Sequence, residues 1–409
     1  MKESENILFR IDSLLYDKGV KMKCPTIEED LGILFYFATR YKYTNNIKFK
    51  DKSITLLNNL IDVFQDKDLP SSFIEGFEGV YWVINFLNKC NIIADEEILS
   101  DLHDFLYDSI RIDIKTNNFD LLHGYIGKVQ YLIHSKNHNK EKVNRLIDDI
   151  INSLYENSKE FKDCNGLYWY DLEGRNNNSI NIGLAHGIPS VLVFLTKLHS
   201  LGFKNPLIKI MINGIINLLL FIKNDNNEIS SYGDEIVIDE KINSIICKVK
   251  ISRLAWCYGD IGISYSIYFA GLIMGNELWK EEATKIIKKA CRRGLSDSGI
   301  IHFNDYSFFD VAFCHGISGI TYVLKRISCW INDKEIENRL IYWENELLKN
   351  TNTFLNIKDD IYYPYDKQDK NYTYIIDKEN FLSGITGTGL VIQSILYNRF
   401  EWSHLLSIY

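Results

Sequence analysis

Two short segments hold the residues whose types and spacing could do chemistry: Trp256-Cys257-Tyr258-Gly259 and Cys314-His315-Gly316. Each sets a soft metal ligand before a Gly-X-X-Gly unit. Cys257, Cys314 and His315 together offer two thiolates and an imidazole to one zinc ion. Three protein ligands with a fourth position left open is the arrangement of a catalytic zinc. A single free cysteine more often only packs. What lifts this trio above packing is that its members recur at matching places in a repeat.

Gly-X-X-Gly begins at Gly76, Gly124, Gly259, Gly316 and Gly384, and a further copy at Gly187 has Ser190 in place of its second glycine. Such internal periodicity signals stacked supersecondary units. The residues before the first glycines are Glu75, His123, His186, Tyr258, His315 and Ser383; those two before are Ile74, Leu122, Ala185, Cys257, Cys314 and Leu382. Cysteine therefore replaces an aliphatic position in two successive copies, which points to the same end and depth of neighbouring units. His186 shares that register one copy earlier, Asp120 lies four residues before Gly124, and Arg253 four before Cys257. They would add an imidazole, a carboxylate and a guanidinium beside the metal, and an imidazole titrates near neutral pH as acid–base work requires. Plainer roles stand beside these: a helix-start histidine for His186, an N-cap for Asp120, a salt bridge for Arg253. His123 shares the register and reads as a neighbour of the site or a substrate contact.

The elements that must position these side chains are helices. Each glycine motif opens an apolar segment, such as Ile263-Ser264-Tyr265-Ser266, hydrophobic on nearly all sides and so buried. Amphipathic stretches lie between them, among them Glu97 to Ile110, Lys140 to Ser158, Trp279 to Arg293 and Asp333 to Asn350. The unit reads as a polar-faced outer helix, a glycine turn and a buried inner helix. Glu29 to Tyr41, keeping only Gly32, is a degenerate first copy, for six or seven hairpins in all. Near-apolar inner helices favour closure over an open solenoid: an all-α α/α toroid, one domain over residues 1–409, with the glycines letting backbones approach. Asp163 to Ile182 and Asn224 to Ile251 break the pattern, and the second predicts a small β-containing insertion at about 224–251.

Composition narrows the rest. A hydrophobic content of 46% suffices for a large core, and a net charge of -8 argues against nucleic acid as a partner. Met1 to Asn6 is charged with no signal-type apolar region after it, which predicts a chain kept in the cytoplasm. Leu207 to Ile222, interrupted by Lys209, Asn213 and Asn217, falls short of the ~20 residues of a membrane span and predicts a buried helix instead. The eight cysteines are scattered, which fits reduced thiols, the six outside the two motifs being structural.

Asp120 with Gly124-Tyr125-Ile126-Gly127, Ala185-His186-Gly187, Arg253 with Trp256-Cys257-Tyr258-Gly259, and Cys314-His315-Gly316 together resemble the lanthionine synthetase C-like family, the lantibiotic cyclases of class I lanthipeptide biosynthesis. The resemblance runs from about Gly76 to Gly389. It implies an α/α toroid and a cyclase with one Zn2+ on Cys257, Cys314 and His315. The family's acid–base histidine falls on His186, its aspartate on Asp120, its arginine and tyrosine near the metal on Arg253 and Tyr258. The implied reaction is Michael-type addition of peptide Cys thiols to dehydroalanine or dehydrobutyrine, giving lanthionine or methyllanthionine thioethers. The implied partners are a dehydrated precursor peptide of leader and core, a dehydratase and a peptide transporter, through which the chain would meet the membrane peripherally. The competing readings are a relative that binds glutathione or another thiol without peptide cyclase activity, a zinc prenyltransferase (which typically uses Asp-Cys-His ligands), a toroidal glycosidase, which needs a pair of catalytic carboxylates that does not stand out here, and a structural helical scaffold.

Overall fold

In the computed structural model, residues 2–18, 24–64, 69–93, 97–134, 140–170, 179–358, 360–363 and 374–409 are described. The chain forms two compact units, Met1–Asp95 with Ile300–Trp402, and Glu96–Gly299 with Ser403–Tyr409. The first unit opens with α1 (Lys2–Lys18), α2 (Asp30–Thr44), α3 (Ile47–Phe64) and α4 (Glu78–Lys89). The second holds α5 (Glu97–Thr116), α6 (Tyr125–His134), α7 (Lys140–Asn157), α8 (Ile188–Ser200), α9 (Pro206–Phe221), α10 (Asp260–Met274) and α11 (Glu277–Cys291). The chain returns to the first unit with α12 (Ile317–Ser328), α13 (Lys334–Phe354) and α14 (Ile385–Tyr397).

The even-numbered helices are the inner ones. In α10 every residue from Asp260 to Gly271 is buried, and in α14 every residue from Ile385 to Ser394. The odd-numbered helices are one-sided: α7 buries Val143, Leu146, Ile147, Ile150, Ile151 and Leu154, the spacing of one helical stripe. Each such aliphatic side chain contributes about 1.5–3 kcal/mol when fully buried. Within the second unit α6 packs on α8 and α8 on α10; within the first, α12 packs on α14, α14 on α2 and α2 on α4. The last inner helix thus meets the first, as closure requires and an open solenoid forbids.

Three expectations need correction. The tight hairpins are an inner helix and the outer helix that follows it: α2–α3, α8–α9, α10–α11 and α12–α13. Their connections are short, which forces antiparallel neighbours, whereas the longer outer-to-inner connections carry the glycine motifs. The Leu207 to Ile222 segment is an outer helix, buried on one face with Ile210 and Phe221 about half exposed. Cys247 and Cys329 are exposed, so packing does not explain them, and none of the eight cysteines forms a disulfide.

The β insertion is present and larger than expected. A three-stranded antiparallel sheet runs β3 (Ser179–Asn181), β4 (Glu235–Asp239), β5 (Ser244–Lys248). It follows the hairpin of β1 (Lys159–Phe161) and β2 (Gly166–Tyr168), so the Asp163 to Ile182 segment also contains strands; its residues 171–178 lie outside the described part. Among the described residues of the first unit are two further two-stranded pairs, β6 (His302–Phe303) with β7 (Phe308–Phe309), and β8 (Tyr362–Tyr363) with β9 (Tyr374–Ile375). No helix among the described residues is long and apolar enough to cross a membrane.

Candidate active site

Every glycine motif is built the same way, and the reason is steric. The carbonyl of the residue six positions earlier closes over the first glycine, so that a Cβ there would lie 2.2 Å from Pro70 O at Gly76, 2.3 Å from Asn118 O at Gly124, 2.2 Å from Asn181 O at Gly187 and 2.5 Å from Asp310 O at Gly316. Gly187 and Gly316 have extended backbone angles that any residue adopts, so it is this close approach that demands glycine. Gly259 adds a left-handed φ of 84°. One α-turn precedes each of several glycines, as in Gly187 N–H to Gly183 O (2.9 Å) and Gly124 N–H to Asp120 O (3.1 Å). The second glycines are covered in the same way, a Cβ at Gly262 lying 2.5 Å from Trp256 O and one at Gly387 2.1 Å from Phe381 O, with Leu184 Cβ and Phe313 Cβ of the neighbouring loops at 3.0 and 3.1 Å. At Ser190 the buried hydroxyl instead donates to Gly187 O (2.8 Å).

In the second unit the residues before the first glycines of α6, α8 and α10 form a row. His123 and His186 stack in parallel, centroids 5.8 Å apart and planes 10° apart, and the Tyr258 ring lies 6.5 Å beyond His186. Asp120 caps the turn that leads into α6 and also reaches the neighbouring loop. Its Oδ1 accepts the N–H groups of Leu122 (2.6 Å) and His123 (2.9 Å), and its Oδ2 meets His186 Nδ1 at 2.6 Å. Burial alone pushes the Asp120 carboxyl up; the hydrogen bond and charge of His186, then the His123 N–H and its charge, outweigh it and hold the group below the usual carboxylate value. Asp120 therefore stays an anion, and an anion at that distance favours the tautomer with its proton on His186 Nδ1.

The same unit carries Cys257, which is 4% exposed. Its carbonyl accepts the Ala185 N–H (3.3 Å), so the loop of the first cysteine is hydrogen-bonded to the loop of His186. A Cβ on Gly183 would strike Cys257 O at 2.5 Å and the Tyr258 ring at 2.6 Å, which shows how tightly the loops abut. Tyr258 Oη accepts from Asn181 Nδ2 (3.0 Å), whose Oδ1 takes the Gly183 N–H (2.8 Å). Arg253 is half-buried and contributes the carbonyl that covers Gly259. Its loop is held by Arg293, which donates to Ser252 O (2.8 Å) and Ser298 O (3.3 Å).

Cys314 and His315 belong to the first unit. The Cys314 N–H donates to Leu382 O (2.9 Å), the same link between consecutive loops that joins Ala185 to Cys257. His315 Nε2 lies 3.2 Å from Asp310 Oδ2, an ion-pair approach at an angle that does not make an aligned hydrogen bond, while Asp310 Oδ1 accepts the Ala312 N–H (2.9 Å). Asn181 and Asp310 went unrecognised in the sequence, yet both stand six residues before a first glycine, as do Asn118 and Arg253. Extending the repeat alignment one turn upstream exposes that column. Nothing in the sequence marks Arg293.

The degenerate first copy also keeps its polar position. Glu28 accepts from Leu382 N–H (2.7 Å), Ser383 N–H (3.2 Å) and Ser383 Oγ (2.6 Å). Burial raises its carboxyl from 4.5 to about 7, with Glu75 adding repulsion, against the pull of those three hydrogen bonds. A carboxyl with a raised folded value contributes its stability in full below the unfolded value and loses it as pH rises through the folded one. Unfolding by urea should therefore show a midpoint that falls between about pH 5 and about pH 8, and Glu28→Gln should flatten that fall. An equally steep fall in the variant would remove Glu28 as its source.

The profile of lanthionine synthetase C-like proteins matches residues 30–406, so the likeness reaches well upstream of Gly76. Nisin biosynthesis protein NisC of Lactococcus lactis subsp. lactis is 26% identical over 239 residues, 55% of this chain and 53% of that protein. The chain thus matches about half the length of that relative. The structure of a nisin cyclase superposes with a TM-score of 0.76 at 22% identity, covering 100% of this chain and 98% of the other, and it shares the α/α toroid fold. With the family match running over nearly the whole chain and the toroid fold beneath it, this protein belongs to the lanthionine synthetase C-like family.

Proposed function

We propose that the chain is a zinc-dependent cyclase that adds peptide Cys thiols to dehydroalanine or dehydrobutyrine, closing lanthionine and methyllanthionine rings in a dehydrated precursor peptide. The observation that carries this reading is the Asp120–His186 pair, set on a loop hydrogen-bonded to the loop of Cys257. NisC and nisin cyclase, by their names, belong to nisin biosynthesis and cyclisation, which supports the same chemistry here.

Zinc is the implied metal, and the donor set fits it. Cys257 and Cys314 would supply two thiolates and His315 an imidazole. Metal-bound histidines usually turn their other ring nitrogen to a carboxylate, and Asp310 stands where His315 Nε2 needs one, leaving Nδ1 for the metal. A zinc ion bound there would supply the positive charge that keeps a substrate thiol deprotonated near neutral pH.

The chain's own residues then handle position and protons. Addition at the β-carbon leaves an enolate whose α-carbon needs one proton. His186 delivers it from Nε2, because Nδ1 is committed to Asp120. The Asp120 anion orients the ring and stabilises it whenever both nitrogens carry protons. Tyr258, fixed through Asn181, bounds the space beside the imidazole. Arg253, on the same loop as Cys257, offsets the negative charge of the enolate.

The expected partners are a dehydratase that prepares the peptide and a transporter that removes it, in the cytoplasm. The direct test is incubation with a dehydrated, cysteine-containing precursor peptide: free thiol should vanish with no change in mass. Persistent thiol alongside a bound thiol such as glutathione would favour the non-cyclase reading.

Asp310 supplies a narrower check. Asp310→Asn keeps the Oδ1 acceptor for Ala312 but removes the charge facing His315. Zinc affinity, read by competition with a chelator, should weaken about 10–100-fold. An unchanged affinity would separate Asp310 from the metal.

A further inference from the structure

The second unit holds a group of donors that the cyclase reading leaves partly unused. Asp120, His123 and His186 place one ligand atom each within 4.8 Å of one another, all on half-buried side chains. His123 has no part in the proton transfer assigned to His186, yet its ring lies parallel to the His186 ring. Two imidazoles and one carboxylate form a set that binds divalent first-row metals.

We propose that Asp120, His123 and His186 form a second metal site, for Zn2+ or a divalent ion of similar preference such as Co2+, and that filling it shuts off the enzyme. Three features make the cluster suited to this. First, Asp120 is already an anion, since the charge and hydrogen bond of its neighbours hold it so; a ligand carboxylate needs no proton removed. Second, the carboxylate is rigidly aimed, because Leu122 and His123 N–H groups grip Oδ1 and turn Oδ2 toward the imidazole. Third, the 2.6 Å between Asp120 Oδ2 and His186 Nδ1 is close to the ~3.3 Å that separates two donors bound at about 2.0–2.1 Å in a tetrahedral site. A metal ion would take the place of the proton between them once the two donors part by about 0.7 Å, with His123 as third ligand. That proton leaves to solvent. Ligated at Nδ1, His186 could no longer become an imidazolium, and its remaining Nε2 proton would be held too strongly to pass to the substrate. The inhibitory consequence rests on the role proposed for His186; the binding site does not.

The ligand sets differ in sulfur, so cobalt tells them apart. Co2+ added to the metal-free full chain should give near-ultraviolet thiolate-to-cobalt absorption with the first equivalent only. The second equivalent should add visible ligand-field bands without further thiolate absorption. A second equivalent that raises the thiolate band, or no second equivalent at all, overturns the proposal. Zinc counting after dialysis against excess Zn2+ gives the second arm: two equivalents in the unmodified chain, one in His123→Phe, which keeps a flat ring against His186, and one in Cys314→Ala. Two equivalents retained by His123→Phe would sink the site. Loss of one equivalent in His123→Phe but none in Cys314→Ala would instead sink the cysteine ligands and leave this site standing. Excess Zn2+ should suppress ring closure at least ten-fold in the unmodified chain; equal suppression in His123→Phe would break the link between the site and inhibition.

Discussion

Cys314→Ala should lose zinc and ring closure together. The thiol sits on a loop whose backbone is fixed independently of it, by Cys314 N–H to Leu382 O and by the carbonyl of Asp310 over Gly316. Alanine leaves both in place, so the fold should survive and the loss should be chemical. Only two protein ligands would remain of the three that a catalytic zinc requires. Metal content should fall from one equivalent toward none after dialysis, and conversion of a dehydrated peptide should fall to the uncatalysed rate. Full retention of zinc with full activity would refute the ligand assignment. Retention of zinc with no activity would move Cys314 from the metal to the substrate.

His186→Asn should do the reverse, sparing zinc and slowing closure. The asparagine amide can still donate to Asp120, so the buried carboxylate keeps a partner and the loop keeps its form. What it cannot do is hold a titratable proton. Positioned acid–base groups contribute roughly 10²–10⁴-fold, or about 3–5 kcal/mol of barrier. A drop of that size with unchanged zinc content is expected in single-turnover assays. Near-unaltered turnover would exclude His186 from the proton transfer.

The parts of this arrangement that could be read in the sequence are those imposed by the backbone. A carbonyl lying on the first glycine tolerates no side chain, so Gly76, Gly124, Gly187, Gly259, Gly316 and Gly384 repeat and reveal the period. Fully buried inner helices must be apolar all round, which reveals the layers. The row of His123, His186 and Tyr258 follows from register alone. What escaped depends on side-chain direction or on connections. Asn181 and Asp310 gain their roles only because Nδ2 reaches Tyr258 and Oδ2 approaches His315. Arg293 acts mainly through Ser230 and Ser252, both far from it in sequence. The hairpin phase was misread because loop length, not hydrophobic period, decides which helices are antiparallel partners. Strands of two or three residues such as β6 and β7 are too short to show a pattern.

Several of the loops that carry these side chains are closed by their own bonds, an α-turn behind, as at Gly124, Gly187 and Gly316, and a carbonyl locked over the glycine ahead. The residue in front of that glycine is not what closes the loop, although some copies give it a contact of its own, as Ser383 has with Glu28. The copies behave as sockets of one pattern, holding glutamate, histidine, tyrosine or serine with the same backbone. New chemistry in such a protein needs no new fold: a donor can be added, removed or moved to the adjoining socket by exchanging one side chain.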